Sequence, residues 1–410
     1  MRRADEVRHT IELVCGGGIA AGLTFAYILA AGRMLAPSAY GEFSAALSFF
    51  YVVAVASSPL TPTIARLVTR YELTGQHERS RELQRAAILT VIRWSVIAAI
   101  PLLIGTILLS TFLRFVSPLP ILLALGSALV FALLSVQRGM LQGQGRFRSY
   151  VGNTILEAGL RLAAAMALLY YFASPTAALA AYLAALLVAG VPLGGVPAAS
   201  ASKSRIDWTD FTKLAGPTLI AMVGLAVLQN VDILAVKRWF SSGEAGYYGA
   251  ATSILRVISV LFVSVYTISG PLLTHRFEKG ESLIPATLRL CAYFIALAAV
   301  PTLLFAAWGQ NIVVMFYGPA FREAGHILVA LSGLPMLTYL SVILGQAFIT
   351  LGDRAFGRVY LAFACLQILA FWFAHDTIWS LIRALYLVQG SLLVVMLLLM
   401  HRLRREGVRC

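Results

Sequence analysis

Residues 33–46 read RMLAPSAYGEFSAA, and residues 238–251 read RWFSSGEAGYYGAA. At an offset of 205, half of the 410-residue chain, Arg33, Gly41, Ala45 and Ala46 recur as Arg238, Gly246, Ala250 and Ala251. Each stretch lies between two apolar runs. Three further matches follow in the same order. AAIPLL from Ala98 aligns with AAVPTLL from Ala298, RFVSP from Arg114 with MFYGP from Met315, and QGQGRF from Gln142 with LGDRAF from Leu351, at offsets of 200, 201 and 209. Any one identity is weak because Ala and Leu are common. Four collinear matches whose offset drifts only in loops predict a duplicated fold.

The runs between these matches define the solvent. The chain is 60% hydrophobic and 12% charged, with mean hydropathy +0.83. A soluble domain carries about 25% charged residues, so these charges cannot coat a water-soluble chain of this length. Twelve apolar blocks occur, roughly 11–31, 42–65, 88–109, 119–136, 151–172, 176–198, 214–236, 246–273, 288–308, 324–349, 359–374 and 378–400. A run of about 20 residues spans a bilayer core as helix, where every amide must bond within its own segment. The short alternating segments of a membrane barrel are absent. The fold class expected is an all-α polytopic membrane protein of 12 transmembrane helices in two six-helix repeats. Six is even, so the repeats are parallel, related by an axis along the membrane normal. The expected domains are an N-terminal bundle, 1–198, a cytoplasmic linker, 199–213, and a C-terminal bundle, 214–410. Pro101 and Pro301 fall at matching places in the third and ninth blocks, where proline removes a backbone bond and bends a helix.

The net charge of +14 is an orientation signal rather than a nucleic-acid footprint. With the amino terminus inside, the inner segments 1–10, 66–87, 137–150, 199–213, 274–287, 350–358 and 401–410 hold 22 Lys and Arg, and the outer ones hold Arg33, Arg114, Lys237, Arg238 and Arg322. That asymmetry places both termini in the cytoplasm, with the bilayer as the main partner and no nucleic acid. A share of the basic excess can attract anionic headgroups. Cys15, Cys291, Cys365 and Cys410 include no CxxC pair, so neither a disulfide framework nor a zinc site is expected. The first block is too long for a cleaved signal and has a counterpart in the second half, so it is expected to belong to the fold. No Walker A, DxD or HExxH motif occurs, and no cofactor, metal or catalytic group is expected.

Five arginines lie inside the blocks. Arg93, Arg289 and Arg383 sit near block ends, where a long side chain can reach the headgroups. Arg161 and Arg256 sit near mid-membrane, where a charge costs about 2.5–3.5 kcal/mol on the insertion scale, so each should face a polar interior. Glu157 precedes Arg161 by one turn, the favourable order for an ion pair. Two readings stay open for it: a self-neutralising staple, or a cavity group for an anion or sugar. Arg256 has no acid one turn away on its own helix. Its counterpart at the offset of 205 is Tyr51, which predicts an asymmetric site, charged in one repeat and aromatic in the other. Gln229, Asn230 and Asp232 form a polar patch at the end of the seventh block, either an interfacial cluster with Lys237 and Arg238 or part of a cation or substrate site. Glu12, at the start of the first block, reads as a helix-start charge.

The stretches GRMLAPSAYGEFSAALSFF, RGMLQGQGRFRSYVGNTILEAGLRL, NVDILAVKRWFSSGEAGYYGAATSILRV and VVMFYGPAFREAGHIL resemble the polysaccharide-transporter branch, the Wzx-type flippases, of the multidrug/oligosaccharidyl-lipid/polysaccharide (MOP) exporter superfamily. No thirteenth or fourteenth block is present, unlike the fourteen-helix lipid II relatives. The resemblance implies two bundles in a V with a cavity opening alternately to each side of a plasma membrane. It implies a polyprenyl-pyrophosphate-linked oligosaccharide as cargo, and other membrane proteins of polysaccharide assembly as partners. Pyrophosphate and sugars cannot cross about 30 Å of hydrocarbon unaided, and an Arg fork suits pyrophosphate. A cation-coupled multidrug exporter shares the fold and would need a titratable acid such as Asp232. A membrane glycosyltransferase or polymerase is disfavoured by short outer segments, and a scaffold leaves the mid-membrane Arg unexplained.

Overall fold

The computed structural model describes residues 2–193, 208–351 and 355–405. It divides into two compact units, Met1–Leu219 and Ile220–Cys410. Among the described residues, the regular structure is helical throughout. Unit 1 contains α1 (Arg2–Met34), α2 (Pro37–Ala54), α3 (Leu60–Leu73), α4 (His77–Phe112), α5 (Leu119–Gly143), α6 (Phe147–Phe172) and α7 (Pro175–Gly190). Then come α8 (Trp208–Trp239), α9 (Ser242–Glu278), α10 (Ile284–Tyr317), α11 (Ala324–Leu331), α12 (Leu334–Thr350), α13 (Ala355–Phe373) and α14 (Ile378–Arg405). Eleven segments are long and apolar enough to cross a membrane, and α4, bent by 56° between Ala98 and Ile100, makes the twelfth. These match the twelve blocks one for one. The expected linker 199–213 lies largely outside the described residues; from Trp208 the chain is already in α8.

The repeated stretch encodes a helix end, a two-residue turn and a helix start. α1 ends at Met34 and α2 begins at Pro37; α8 ends at Trp239 and α9 begins at Ser242, again 205 residues on. The chemistry of the two starts differs. Pro37 occupies the first helical turn after an extended Ala36, where its missing N–H costs nothing. Ser241 and Glu244 form a reciprocal capping box instead, satisfying two orphan amides.

The two units share one packing plan. In unit 1 α5 is the hub, packed on α2, α3, α4 and α7. In unit 2 its counterpart is the pair α11–α12, packed on α9, α10 and α14. Small residues allow the close approaches. A Cβ on Gly139 would lie 2.8 Å from Thr61 O, and one on Gly143 would lie 2.7 Å from Ala65 O, so α5 and α3 touch backbone to backbone. Thr61 and Thr69 donate across this seam to the carbonyls of Ser135 and Gly143 at 2.9 and 3.1 Å. Without water between helices, such packing and hydroxyl bonds hold membrane bundles together. The apolar side chains of α4 and α10, among them Val96, Ile100, Val300 and Leu303, remain exposed, as a surface that faces lipid requires.

The breaks differ between units. Pro101 follows the bend in α4 directly, consistent with a proline's missing bond and steric clash. In α10 the helical geometry fails at Trp308, not at Pro301. The expected matching kinks are therefore not matched. The second span of unit 1 breaks at Val55–Ser57 between α2 and α3, whereas α9 carries no break; in unit 2 the fourth span breaks between α11 and α12.

Candidate functional site

Unit 1 carries a charged network in its interior. Asn153, Glu157 and Arg161 stand at four-residue spacing on α6 and are each 5% exposed. Glu157 pairs with Arg161 through one oxygen, and its other oxygen accepts from Arg138 of α5 at 2.7 Å. Arg138 also gives two bonds to Asn153 Oδ1, at 3.0 and 2.9 Å. Asn153 in turn donates to the Ala189 carbonyl of α7 at 2.6 Å. Arg161 reaches Thr24 of α1 at 3.4 Å and lies over the Tyr182 ring at 3.9 Å, with Tyr27 further off at 5.9 Å. A guanidinium over an aromatic face away from water is stabilised by the ring quadrupole. Two guanidiniums therefore share one carboxylate, with amide and aromatic groups completing the shell. The Nε of Arg161 has no hydrogen-bond partner in this arrangement.

The Glu157–Arg161 pair is thus part of a larger network, and Arg138 is its unforeseen member. Hydropathy closes the fourth block at residue 136 and puts Arg138 in a basic inner loop. The helix in fact runs to Gly143 and buries Arg138. A signal existed: Gly139 and Gly143, four apart, continue a packing face beyond the apolar run. Asn153 extends the Glu157–Arg161 spacing by one more turn, which a search for charges alone passes over. Tyr51 joins the edge of the same group. Its ring is 5.3 Å from Phe50, and Phe50 lies 4.8 Å from Tyr182.

In unit 2, Asp232 is buried within α8 and accepts from the Tyr248 hydroxyl of α9 at 2.7 Å. Arg256, half-buried on α9, lies within electrostatic reach of Asp232 and of Tyr339. Lys237 is 1% exposed and donates to Ser242 at 2.9 Å. Asn230 bonds back to Ala226 O of its own helix at 2.9 Å, and Gln229 is exposed. Of this sequence patch, Asn230 and Asp232 are buried and Gln229 is exposed. Between α8, α13 and α14, Gln367 donates to Leu228 O and Gln389 donates to Gln367, both at 3.1 Å.

Arg93, Arg289 and Arg383 are exposed, and Arg161 is not. Glu12 departs from expectation. α1 starts well before it, and Glu12 accepts from Arg148 of α6 at 2.8 Å. It is an interhelical partner, not a helix-start charge.

Comparison with known proteins places this architecture. No curated protein sequence matches the chain. Several solved structures match its fold. An inward-facing multidrug resistance MATE family transporter of the MOP superfamily gives TM-score 0.73 at 15% identity, covering 94% of this chain and 96% of that one. The lipid II flippase MurJ in an inward closed conformation gives 0.70 at 13% identity, covering 96% and 87%. A MOP superfamily transporter from Pyrococcus furiosus, described by a binding pocket of reversed polarity, gives 0.59 at 14% identity, covering 98% and 96%. At the level of sequence, residues 7–275 match the family described as polysaccharide biosynthesis protein. The chain is a multi-pass membrane protein with a MOP-type fold, and it belongs to the polysaccharide biosynthesis protein family.

Proposed function

We propose that this protein is a transporter rather than an enzyme: a flippase that moves a polyprenyl-pyrophosphate-linked oligosaccharide from the cytoplasmic to the outer leaflet of the plasma membrane by alternating access. One observation carries the reading beyond the family: two buried guanidiniums on a single carboxylate, Arg138, Arg161 and Glu157. An Arg excess in a low-dielectric interior favours an anion such as pyrophosphate over a cationic drug. In unit 2, half-buried Arg256 is the residue assigned to pyrophosphate. The test is reconstitution in liposomes with a fluorescent lipid-linked saccharide. Movement of the label to the far leaflet supports the reading, and a wild-type protein that leaves it in place overturns it.

Both termini are assigned to the cytoplasm. In a cysteine-free background, Ser149→Cys should be shielded from an impermeant maleimide added outside, and Thr377→Cys should react. Labelling of the first from outside reverses the orientation. A second reading, a cation-coupled multidrug exporter, is favoured by the buried Asp232–Tyr248 pair, the sort of carboxylate that can exchange a proton or sodium ion. It requires drug efflux that disappears in Asp232→Asn.

A further inference from the structure

α10 leaves helical geometry at Trp308, with φ −124° and ψ 22°. The break adjoins a tight crossing with α11. A Cβ on Gly309 would lie 2.7 Å from the Val329 side chain and 3.0 Å from Gly325 O, and one on Gly325 would lie 2.5 Å from Gln310 Cα. The backbones touch, so the larger neighbouring side chains gather beside the crossing. They line a cleft of about 520 Å³ that includes Trp308, Trp379, Gln310, Asn311 and His326. That volume lies within the range of about 300–1,000 Å³ typical of small-molecule sites. Gln310 Nε2 stands 2.8 Å from His326 Nε2. Trp308 and Trp379 are 55% and 48% exposed. No Lys, Arg, Asp or Glu lines the cleft.

We infer that this cleft in unit 2 binds a neutral saccharide ring. The inference rests on the flippase reading and adds a place where the sugar portion of the cargo is held. The chemistry is specific to that class. An indole face offers an apolar platform to the C–H face of a sugar, and its N–H is a polar handle. An amide, a second amide and an imidazole supply both donors and acceptors for hydroxyls. A phosphate or carboxylate would find no cation here. A lipid-facing aromatic belt explains two tryptophans at a membrane boundary. It does not account for Gln310, Asn311 and His326 converging on the same cleft. The positive-inside orientation puts this end of α10 on the outer side, where a flipped sugar emerges.

The test uses the full-length protein in detergent micelles and methyl glycosides of a hexose, an N-acetylhexosamine and a deoxyhexose, without lipid or phosphate. Saturation-transfer NMR should show contact to the ring C–H protons of at least one glycoside. The affinity should fall about fivefold to tenfold in Trp308→Leu and in Gln310→Ala, the scale of one aromatic or hydrogen-bond contact. Trp308 is exposed, so Trp308→Leu should keep the wild-type melting temperature; Gln310 is half-buried and bonded to His326, so the Trp308→Leu affinity decides if Gln310→Ala melts early. Excess inorganic pyrophosphate should not compete. Absent transfer to all three glycosides, equal transfer in the variants, or competition by pyrophosphate overturns the site. Liposome flipping separates the two ideas. Wild-type flipping with variant-insensitive sugar contact removes the cleft and leaves the flippase. No wild-type flipping, with variant-sensitive contact, removes the flippase and leaves a saccharide site.

Discussion

Tyr27 and Phe43 in unit 1, and Asp232 and Tyr248 in unit 2, stand at the same places in the repeat, 205 residues apart. In unit 1 the two rings meet edge to face at 5.7 Å. In unit 2 a phenol donates to a carboxylate at 2.7 Å. The contrast runs the other way between the fifth and sixth spans. There unit 1 holds Arg161 over Tyr182 and Asn153 on Ala189 O, and unit 2 holds two glutamines, Gln389 on Gln367. Duplication has preserved helix ends and the packing plan, while the buried polar groups have been rewritten. Each rewriting finds hydrogen-bond or ion-pair partners on a neighbouring helix, as a hydrocarbon surrounding demands. The difference teaches that the two units need not do equivalent work. In unit 1 ionic bonds tie α5 to α6, and polar contacts from the same network reach α1 and α7. In unit 2 these bonds have neutral donors: Tyr248 donates to Asp232, and Gln389 donates to Gln367, which donates in turn to Leu228 O.

The contrast is broken most severely at Glu157. Glu157→Gln strands two guanidiniums, and removing one partner of a buried ion pair costs about 3–5 kcal/mol. Thermal unfolding of the purified variant should show a larger loss than Arg256→Ala, Asp232→Asn or the removal of either glutamine. The double change Glu157→Gln with Arg161→Met would restore a simple two-membered pair. It should not restore this one, because Arg138 still lacks its carboxylate. Full recovery of stability by the double variant would mean that Arg138 is hydrated, and the network would reduce to a pair.

Arg256 tests function where Glu157 tests the fold. Arg256→Ala should slow flipping about tenfold to a hundredfold, the equivalent of about 1.5–3 kcal/mol for a charge-assisted bond, with the melting temperature within a few degrees of wild type. Arg256→Lys keeps the charge, loses the planar fork and should fall between. Wild-type flipping by the alanine variant sinks the assignment to cargo. A melting temperature as low as that of Glu157→Gln would instead make Arg256 the structural partner of Asp232.

Asp232→Asn should be milder. The amide oxygen still accepts from Tyr248, so the loss is that of a charged acceptor exchanged for a neutral one, about 1–2 kcal/mol. Flipping should persist. Abolished transport in a folded variant, together with drug efflux by the wild type, would favour the multidrug reading.

The fold was legible because the bilayer imposes it. Twelve apolar blocks, their even count and the repeated RMLAPSAYGEF and RWFSSGEAGYY stretches carry the architecture: hydrocarbon admits only helices and closed barrels, and long unalternating runs fit helices. The site was legible in part. Glu157 and Arg161 declared themselves through charge and i,i+4 spacing. Arg138 did not, because hydropathy ends a helix where its residues turn polar, although packing on α3 through Gly139 and Gly143 continues it. Pro301 promised a kink that appears instead at Trp308, where close approach of α10 and α11 reshapes the chain. Asn153, Gln367 and Gln389 are neutral, and their roles depend on which helix faces them. No local pattern reports that.

The smallest effect belongs to those glutamines, and it gives the cleanest contrast with Glu157. Gln389 donates to Gln367, and Gln367 donates to Leu228 O. Interhelical hydrogen bonds in membranes average about 0.6 kcal/mol and reach about 1.7. Each single change, Gln367→Leu or Gln389→Leu, should therefore lower stability by an amount in that range. Gln389 Oε1 has no partner in this arrangement, so removing both amides also removes an unsatisfied acceptor, while the Leu228 carbonyl sits in an unbroken helix. The double variant should return close to wild-type stability, as expected when both partners of a neutral bond become apolar. A double-mutant cycle in chemical denaturation measures this directly. Strictly additive losses would show that the amides act separately. A loss as large as that of Glu157→Gln would make the neutral pair in unit 2 as indispensable as the charged network in unit 1, and the contrast between the units would fail.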